Sequence, residues 1–252
     1  MTQSHSDWPY PKLIAHRGAG RHAPENTLAA MRKGVSHGYT MMEYDVKLSR
    51  DGIALLLHDD RLDRTSNATG NAADKTWAEL SVVDAGSWHS AQYAGEPIPS
   101  LHAIAAYTQA NHILSNVEIK PHTGLETETG KQVALLVRQL WQGSAVPPLL
   151  SSFSEDALQA AMEVAPELPR ALLLEDEVPT DWQERAQRLQ CQGLNLNDKH
   201  TTRQIVEDMR AAGYTVAIWT VNNEARAREL LSWGCNAIFT DEVTALSPSS
   251  FA

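Results

Sequence analysis

Short apolar runs alternate with segments of helical spacing along most of the chain. In the helical segments apolar residues recur every three or four positions, whereas the apolar runs are short enough for buried strands. The clearest helical segments are Thr27–His37, Leu101–Ala110, Gln132–Trp141 and Thr202–Ala212. The strand candidates are Leu13–His16, Met41–Val46, Ile53–His58, Ser115–Lys120, Leu149–Ser152, Ala171–Leu174, Leu194–Asn197, Thr215–Trp219 and Ala237–Thr240. Strands that alternate with helices favour repeated βα units around a parallel sheet.

The strand candidates number one more than a (β/α)8 barrel contains. Met41–Val46 and Ile53–His58 are joined by a connection that ends in Asp51-Gly52, a strong hairpin turn signal. A hairpin makes Ile53–His58 antiparallel to its neighbour, so eight βα units remain. We therefore predict an α/β fold, a TIM (β/α)8 barrel with an extra hairpin strand after barrel strand two. A doubly wound open sheet is the alternative.

The predicted hairpin brings ionisable side chains to one face of the ribbon. If Asp51 and Gly52 occupy the two turn positions, Asp45 lies opposite His58. Directly opposed residues project to the same face, and Glu43, two residues before Asp45, shares that face. We therefore expect two carboxylates and an imidazole to converge here.

Further polar side chains stand at the ends of other predicted strands. His16 and Arg17 end the first strand, and Glu118 and Lys120 share one face of the strand that follows Leu101–Ala110. Trp219 ends a later strand and is a candidate both for the apolar wall of a pocket and for core packing. Because the active sites of (β/α)8 barrels lie at the carboxyl ends of the strands, we expect one site from these groups.

Composition narrows the class of protein. The 252 residues suit a single domain over residues 1–252, in which about 60–99 form an insertion, because that stretch is too long for an ordinary βα loop. With 21 Lys and Arg against 31 Asp and Glu, the net charge of −10 argues against long contacts with nucleic acid. The chain has no run of 18 apolar residues for a membrane span, no secretory leader and no cysteine framework, so we expect a reducing cytosol. Monomer and homodimer both remain open.

The acidic candidates suit a hard cation. Glu43, Asp45 and Glu118 supply oxygen donors from two strands, a set that fits Mg2+ or Ca2+ better than zinc and does not choose between the two ions. Arg17 and Lys120 suit a phosphate, the first as a planar fork and the second as a point charge. The alternative is that these acids and cations form only structural salt bridges.

The two histidines add proton transfer to this set. His16 and His58 can exchange protons near neutral pH, so one could activate a nucleophile while the other protonates a leaving alkoxide. Together with a cation and fixed positive charges, they match hydrolysis or transfer at a phosphodiester. A metal-dependent barrel lyase or aldolase would also use inward carboxylates and a lysine, but has less use for two histidines beside Arg17. A non-catalytic phosphodiester-binding protein is the third alternative.

The order and spacing of these residues resemble the glycerophosphodiester phosphodiesterase family, over nearly the whole chain. The motifs that carry the resemblance are His16-Arg17-Gly18, Pro24-Glu25-Asn26-Thr27, Glu43-x-Asp45, Asp51-Gly52, His58-Asp59, Asp63-Arg64-Thr65, Glu118-x-Lys120, Leu149–Phe153 and Ile218–Asn222. Trp8–Pro11 and Asp84–Trp88 are similar to a cytosolic bacterial member of this family. Each motif is weak alone, but their combined order is specific.

The resemblance implies a TIM-type barrel that cleaves glycerophosphodiesters, such as glycerophosphocholine or glycerophosphoethanolamine, to glycerol 3-phosphate and an alcohol. It also implies that Glu43, Asp45 and Glu118 bind a metal ion. His16 and His58 would then be the general acid/base pair, and Arg17 and Lys120 would bind the phosphate. Whether the glycerol hydroxyl or water attacks first is left open. We expect Glu25 and Asn26 beside the site but not in catalysis, since they also precede the helix Thr27–His37.

Overall fold

The computed structural model describes residues 8–251, in which strands and helices alternate as predicted. The strands are β1 Leu13–Ala15, β2 Met41–Leu48, β3 Ala54–Leu56, β4 Leu114–Ile119, β5 Leu149–Ser152, β6 Arg170–Leu174, β7 Gly193–Asn197, β8 Thr215–Trp219 and β9 Ala237–Thr240. The helices are α1 Leu28–Ser36, α2 Trp77–Leu80, α3 Leu101–Ala110, α4 Glu126–Leu140, α5 Glu155–Val164, α6 Trp182–Arg188, α7 Arg203–Ala211 and α8 Glu224–Ser232. None of the helices in this range is long and apolar enough to cross a membrane.

The strands close into a barrel. Eight of them pair in parallel in the order β1-β9-β8-β7-β6-β5-β4-β2, and Ala15 of β1 pairs with Met42 of β2 to close the ring. The remaining strand, β3, lies antiparallel on β2. The predicted TIM barrel with an extra hairpin strand is therefore confirmed, and the open-sheet alternative is wrong. Predicted element bounds differ most at α4, which begins at Glu126 rather than Gln132, because acidic residues suit the positive end of a helix dipole.

The predicted hairpin register is wrong by one residue. Val46 pairs with Leu56, and the backbone N–H of Leu57 donates to the carbonyl of Asp45 at 3.1 Å, so Asp45 lies opposite Leu57 and not His58. The reason is the loop: the N–H of Ser49 bonds the carbonyl of Ile53 at 3.0 Å, so three residues form the turn instead of two. Its last residue, Gly52, takes the left-handed conformation (φ 78°) typical of three-residue hairpin loops.

On several barrel strands the inward-facing positions change from small or apolar residues to larger or polar ones toward the carboxyl end. On β2, Met41 packs with the apolar cluster inside the barrel, and Glu43 and Asp45 follow it on the same face. The same order recurs as Ile14 before His16 and as Ala217 before Trp219. The alternate residues pack outward against the helices in the larger core. An apolar plug thus fills the amino-terminal half of the barrel, and ionisable groups collect at the carboxyl end.

The segment between β3 and α3 is the predicted insertion. Together with Leu55 of β3, it forms a small core made of Leu57, Leu62, Ala72, Leu80, Val83, Ala85 and Ile98. Its helix α2 begins with a reciprocal cap, in which the Thr76 hydroxyl accepts from the N–H of Glu79 and the Glu79 carboxylate accepts from the N–H of Thr76. This packing fixes the segment against the hairpin at the mouth of the barrel. That residues 1–252 form one domain stays a prediction.

Candidate active site

A cavity of about 500 Å3 opens at the carboxyl ends of the barrel strands. It is lined by His16, Arg17, Glu43, His58, Asn116, Glu118, Lys120, Ser151, Phe153, Leu173, Glu175, Asn195, Trp219, Thr220 and Phe239. These include every predicted site residue except Asp45, which is buried and has a carboxylate oxygen within 4.8 Å of those of Glu43 and Glu118. The structure therefore gathers the predicted site residues at one end of the barrel.

Three buried carboxylates face one another in this cavity. Glu43, Asp45 and Glu118 each offer an oxygen atom, and these three atoms lie within 4.8 Å of one another. Burial and the charge of Asp45 raise the pKa of Glu43 and of Glu118. Among residues 8–251, nothing hydrogen-bonds to the buried Oε1 of Glu43. Because such a group is costly to bury without a counter-charge, this triad could hold a metal ion.

Two cations neutralise part of this charge. Lys120 Nζ lies 3.0 Å from Oε1 of Glu118 and 3.4 Å from Oδ1 of Asp45. Arg17 Nε lies 3.6 Å from Oδ2 of Asp45. Although burial opposes ionisation, Lys120 and Arg17 hold the pKa of Asp45 well below its usual range. The salt bridges considered above thus exist, but they leave the Oε1 atom of Glu43 unpaired among the described residues.

A tight turn at the end of β1 positions His16 and Arg17. Arg17 has a left-handed backbone (φ 51°), and its N–H donates to Oε2 of Glu43 at 2.9 Å. Gly18 follows with φ 93°, and a Cβ there would lie 2.9 Å from the Cβ of Ala30. Glycine is required at this position by both conformation and space. The turn therefore fixes the backbone of Arg17 directly against the acidic triad.

Each of the two imidazoles is held by a carboxylate. His16 Nδ1 donates to Oδ1 of Asp241 at 2.7 Å, and its Nε2 lies 3.8 Å from Oε2 of Glu43. His58 Nδ1 donates to Oδ1 of Asp59 at 2.6 Å. These bonds set which ring nitrogen carries hydrogen and leave Nε2 of each ring as the other proton-exchanging atom.

The surroundings shift the two histidines in opposite directions. Burial alone would lower the pKa of His16, but Asp241 and Glu43 outweigh it and raise the pKa. Burial lowers the pKa of His58, and the charges of Arg17 and Lys120 add to that effect, against the opposing charge of Asp45. The pair therefore has two distinct proton affinities within one cavity.

An arginine from the insertion connects the two histidine-bearing segments. Arg64 donates to both oxygens of Asp59, the partner of His58, at 2.7 and 3.0 Å. The same guanidinium donates to both oxygens of Glu25 at 2.8 Å, and Glu25 accepts from Nη1 of Arg17 at 2.9 Å. One network thus links His58 to Arg17 through three ionised groups, Asp59, Arg64 and Glu25.

Sequence reasoning did not assign the groups that orient the site. Asp59, Arg64 and Asp241 have no predicted role, although the position of Asp241 directly after β9 was an available signal. Asn26 was expected beside the site, and its Nδ2 donates to Oδ2 of Asp45 at 2.7 Å while its Oδ1 accepts from the N–H of Asp45 at 3.0 Å. Asn26 is therefore a clamp on Asp45.

Aromatic rings form one wall of the cavity. Trp219 meets Phe153 edge to face with ring centres 5.4 Å apart, and Lys120 Nζ lies 5.4 Å from the centre of the Phe153 ring. The indole N–H of Trp219 donates to the carbonyl of Asn195 at 3.3 Å. Trp219 is thus a wall residue as well as a packing residue.

Comparison with known proteins identifies the family that the sequence motifs resemble. Residues 16–245 match the model of the glycerophosphoryl diester phosphodiesterase family. The chain is 34% identical to the Bacillus subtilis (strain 168) protein YhdW over 91% of this chain and 93% of that protein. It is 30% identical to a glycerophosphodiester phosphodiesterase of Caldanaerobacter subterraneus subsp. tengcongensis, over 91% of this chain and 93% of the relative.

A solved structure agrees in fold and sequence. The phosphodiesterase of Oleispira antarctica, solved in complex with the product sn-glycerol-3-phosphate, superposes with a TM-score of 0.91 at 37% identity. The match covers 96% of this chain and 98% of that one. The chain therefore belongs to the glycerophosphoryl diester phosphodiesterase family and is a phosphoric diester hydrolase on a TIM barrel.

Proposed function

We propose that the enzyme hydrolyses glycerophosphodiesters, such as glycerophosphocholine and glycerophosphoethanolamine, to sn-glycerol 3-phosphate and an alcohol, using Mg2+ or Ca2+. The observation that carries this proposal is the buried acidic triad, with its unpaired Glu43 oxygen, between two imidazoles and two cations. The product-bound relative from Oleispira antarctica supports the choice of substrate class.

Glu43, Asp45 and Glu118 would hold the divalent ion. Their donor set is all oxygen, which fits Mg2+ and Ca2+ alike. When bound, the ion supplies positive charge to the phosphoryl oxygens of the substrate. Asn26 supports this set because it holds Asp45 through both its donor and its acceptor.

Arg17 and Lys120 would bind the phosphate, and Trp219 would contact the apolar edge of the substrate. Arg17 Nε has no hydrogen-bond partner among residues 8–251, and the backbone of the β1 turn fixes its position. A guanidinium in such a place can donate to a phosphate oxygen while Nη1 stays on Glu25. Lys120 adds a second, compact charge beside the same carboxylate, Asp45.

His16 and His58 would exchange the protons of the reaction. One imidazole takes a proton from the attacking nucleophile, which is water or the glycerol hydroxyl, and the other gives a proton to the oxygen of the departing alcohol. If the glycerol hydroxyl attacks, water then opens the resulting cyclic phosphate to sn-glycerol 3-phosphate. Asp241 and Asp59 support these roles, because each fixes the orientation of its ring. Two histidines, each held by a carboxylate, favour phosphodiester cleavage over a lyase or aldolase, and a complete acid/base pair favours catalysis over mere binding.

We also propose a cytoplasmic enzyme that acts on small molecules rather than on nucleic acid. The net charge of −10 supports the second point, because a nucleic-acid backbone would be repelled. The free, buried thiols of Cys191 and Cys235 support the first, since proteins of oxidising compartments more often use cysteines in disulfides.

The test measures release of sn-glycerol 3-phosphate from glycerophosphocholine with a coupled assay. The assay is repeated with each of a series of divalent ions. We expect turnover with Mg2+ or Ca2+, its loss with EDTA, and its return when the ion is added back. Full turnover in a rigorously metal-free sample would contradict the role of the ion. No release with any ion would contradict the substrate class.

A further inference from the structure

An amide side chain in the catalytic cavity has no partner for its donor group. Asn195 on β7 is 1% exposed, and none of the described residues accepts a hydrogen bond from its Nδ2. Its neighbours Leu194 and Leu196 pack outward in the core beneath the helices, so Asn195 faces into the barrel. There it lies level with Leu173 of β6 and Ala217 of β8, which offer no acceptor side chain. A buried donor in this position is costly unless something else accepts from it.

The same cavity holds a matching unpaired acceptor. Asn116 on β4 is fully buried, and its Nδ2 donates to the hydroxyl of Ser151 at 2.7 Å. That bond orients the amide and leaves Oδ1 without a partner among residues 8–251. Asn116 is paired with Glu43 across β2 and β4, so this acceptor stands level with the deepest carboxylate of the acidic triad.

A free donor and a free acceptor in one cavity select the chemistry of their ligand. A phosphate group has no use for the acceptor, since its anionic oxygens would be repelled by Oδ1 of Asn116. An alkyl chain would leave both amides unsatisfied. A hydroxyl group both donates and accepts, so a polyol satisfies the two amides at once. Leu173, Phe239 and Trp219 line the same cavity and offer apolar surface to carbon atoms between the hydroxyls.

We infer that Asn195, together with Asn116, binds the hydroxyl groups of the glycerol moiety and is a specificity-determining residue of this enzyme. This inference rests on the proposed function, because it assigns the glycerol end of the same substrate to the deep wall of the cavity. Arg17 and Lys120 then face the phosphate, and the alcohol end points toward the mouth.

The test compares two ligands that differ only in their hydroxyls, sn-glycerol 3-phosphate and propyl phosphate. Their dissociation constants are measured by titration calorimetry on the Mg2+-loaded enzyme, so the result does not depend on turnover. In the wild type we expect sn-glycerol 3-phosphate to bind at least ~10-fold more tightly than propyl phosphate, since one well-made buried hydrogen bond is worth about that factor. In Asn195→Leu the ratio should fall by about 10-fold, the factor expected for one lost hydrogen bond, mainly through weaker binding of sn-glycerol 3-phosphate.

Controls separate recognition from damage to the fold. Leucine has nearly the shape of asparagine and removes an unpaired donor, so the free Asn195→Leu protein should be no less stable than the wild type. Asn195→Ala gives the same ratio test if the larger side chain does not fit. Asn236→Ala is the matched control, because its side chain caps the N–H of Val216 at the opposite end of β8, away from the cavity.

Two outcomes would overturn the inference. If the ratio of the two dissociation constants is unchanged in both Asn195 variants, the Asn195 amide does not bind the hydroxyl groups. If both ligands weaken equally, Asn195 serves only the structure of the site. Failure of the proposed function looks different, since the wild type would then release no sn-glycerol 3-phosphate from glycerophosphocholine whatever the binding ratio.

Discussion

The two ends of the barrel both bury charge, but they satisfy it differently. At the amino-terminal end, Arg170 begins β6 and is fully buried. Its guanidinium donates to five backbone carbonyls, those of Ala165, Pro166, Leu168, Leu189 and Gln190, at 2.6 to 3.3 Å. All of these acceptors belong to the ends of helices or to loops, so the buried cation ties chain segments together.

At the carboxyl end of the barrel, by contrast, several buried polar atoms lack a hydrogen-bond partner within the described part of the chain. Among residues 8–251, Glu43 Oε1, Arg17 Nε, Asn116 Oδ1 and Asn195 Nδ2 find no hydrogen-bond partner, and all four residues line one cavity. Buried polar atoms in proteins are nearly always paired, so a cluster of unpaired ones indicates a place for a ligand. The comparison teaches that several unpaired polar atoms gathered in one cavity, rather than burial of charge, distinguish the candidate active site from the structural one.

The largest expected effect comes from the acidic triad. Glu43→Gln keeps the shape of the side chain but removes a charge, so kcat/KM should fall at least ~10³-fold, which corresponds to ~4 kcal/mol. Without metal, the variant should be at least as stable as the wild type, because the repulsion with Asp45 is relieved.

Denaturation with and without Mg2+ checks this prediction. The ion should stabilise the wild type and leave Glu43→Gln unchanged, since only the site that binds the ion gains stability from it. Wild-type activity in Glu43→Gln would contradict the prediction, because Glu43 would then have only a structural role, like Arg170.

Arg170→Leu is the opposite case. Five carbonyls lose their donor, so the free energy of unfolding should drop by about 3 kcal/mol or more. Urea denaturation gives the loss of stability, and kcat of the protein that remains folded at low temperature should stay near that of the wild type. If Arg170→Leu kept its stability but lost kcat, Arg170 would serve activity and not structure, which would contradict this prediction.

His16→Ala and His58→Ala test the proposed proton transfer at the carboxyl end of the barrel. Each should lose at least ~10²-fold in kcat, because each substitution removes one of the two proposed proton-transfer groups, with little change in denaturation midpoint. The exposed His102 on α3 provides the control, and His102→Ala should behave as the wild type. Near-normal kcat in either site variant would remove that histidine from catalysis.

Arg64→Gln tests the network that joins the insertion to the barrel. Loss of its bonds to Asp59 and Glu25 should lower kcat by about 10-fold, more than it changes KM, because it loosens the orientation of His58. Arg64→Lys should restore activity only in part, since one ammonium cannot replace a fork that serves two carboxylates.

Arg61→Gln is the matched control for this variant. Arg61 is exposed, lies three residues before Arg64 and pairs with Asp63. Equal loss in Arg61→Gln and Arg64→Gln would indicate a general effect of the loop and not a specific network.

The smallest expected effect concerns the thiols. Burial raises the pKa of Cys191 and of Cys235 to about 12. The unfolded thiols ionise near pH 8.5, so above that pH the unfolded state loses protons that the folded state keeps, and stability must fall. At pH 9.5 each thiol should cost about 1 kcal/mol relative to pH 7.

Urea denaturation at both pH values measures this loss, with Cys191→Ala as the comparison. The alanine variant should show a smaller difference between pH 7 and pH 9.5 than the wild type. An identical difference would mean that the thiol of Cys191 titrates normally in the folded protein.

The elements of the fold could be predicted because they depend on local pattern. Leu101–Ala110, Leu149–Ser152, Thr215–Trp219 and Ala237–Thr240 were predicted with the bounds the structure has. The alternation of apolar and polar residues in β2 also placed Glu43 and Asp45 on one face. The register of β3 could not be predicted in this way, because it depends on how many residues the Gly52 loop uses, and both counts suit the same Asp-Gly signal.

The sequence by itself determined the barrel and the chemical types in its site, because periodicity and strand ends are local properties of the chain. Only the tertiary structure decided the partners: Asp241 reaches His16 across 225 positions, and Arg64 joins Glu25 to Asp59. It also decided which polar atoms are left unpaired, as in Asn195. Such pairings depend on distances between remote segments, which barrel closure sets and no local pattern encodes.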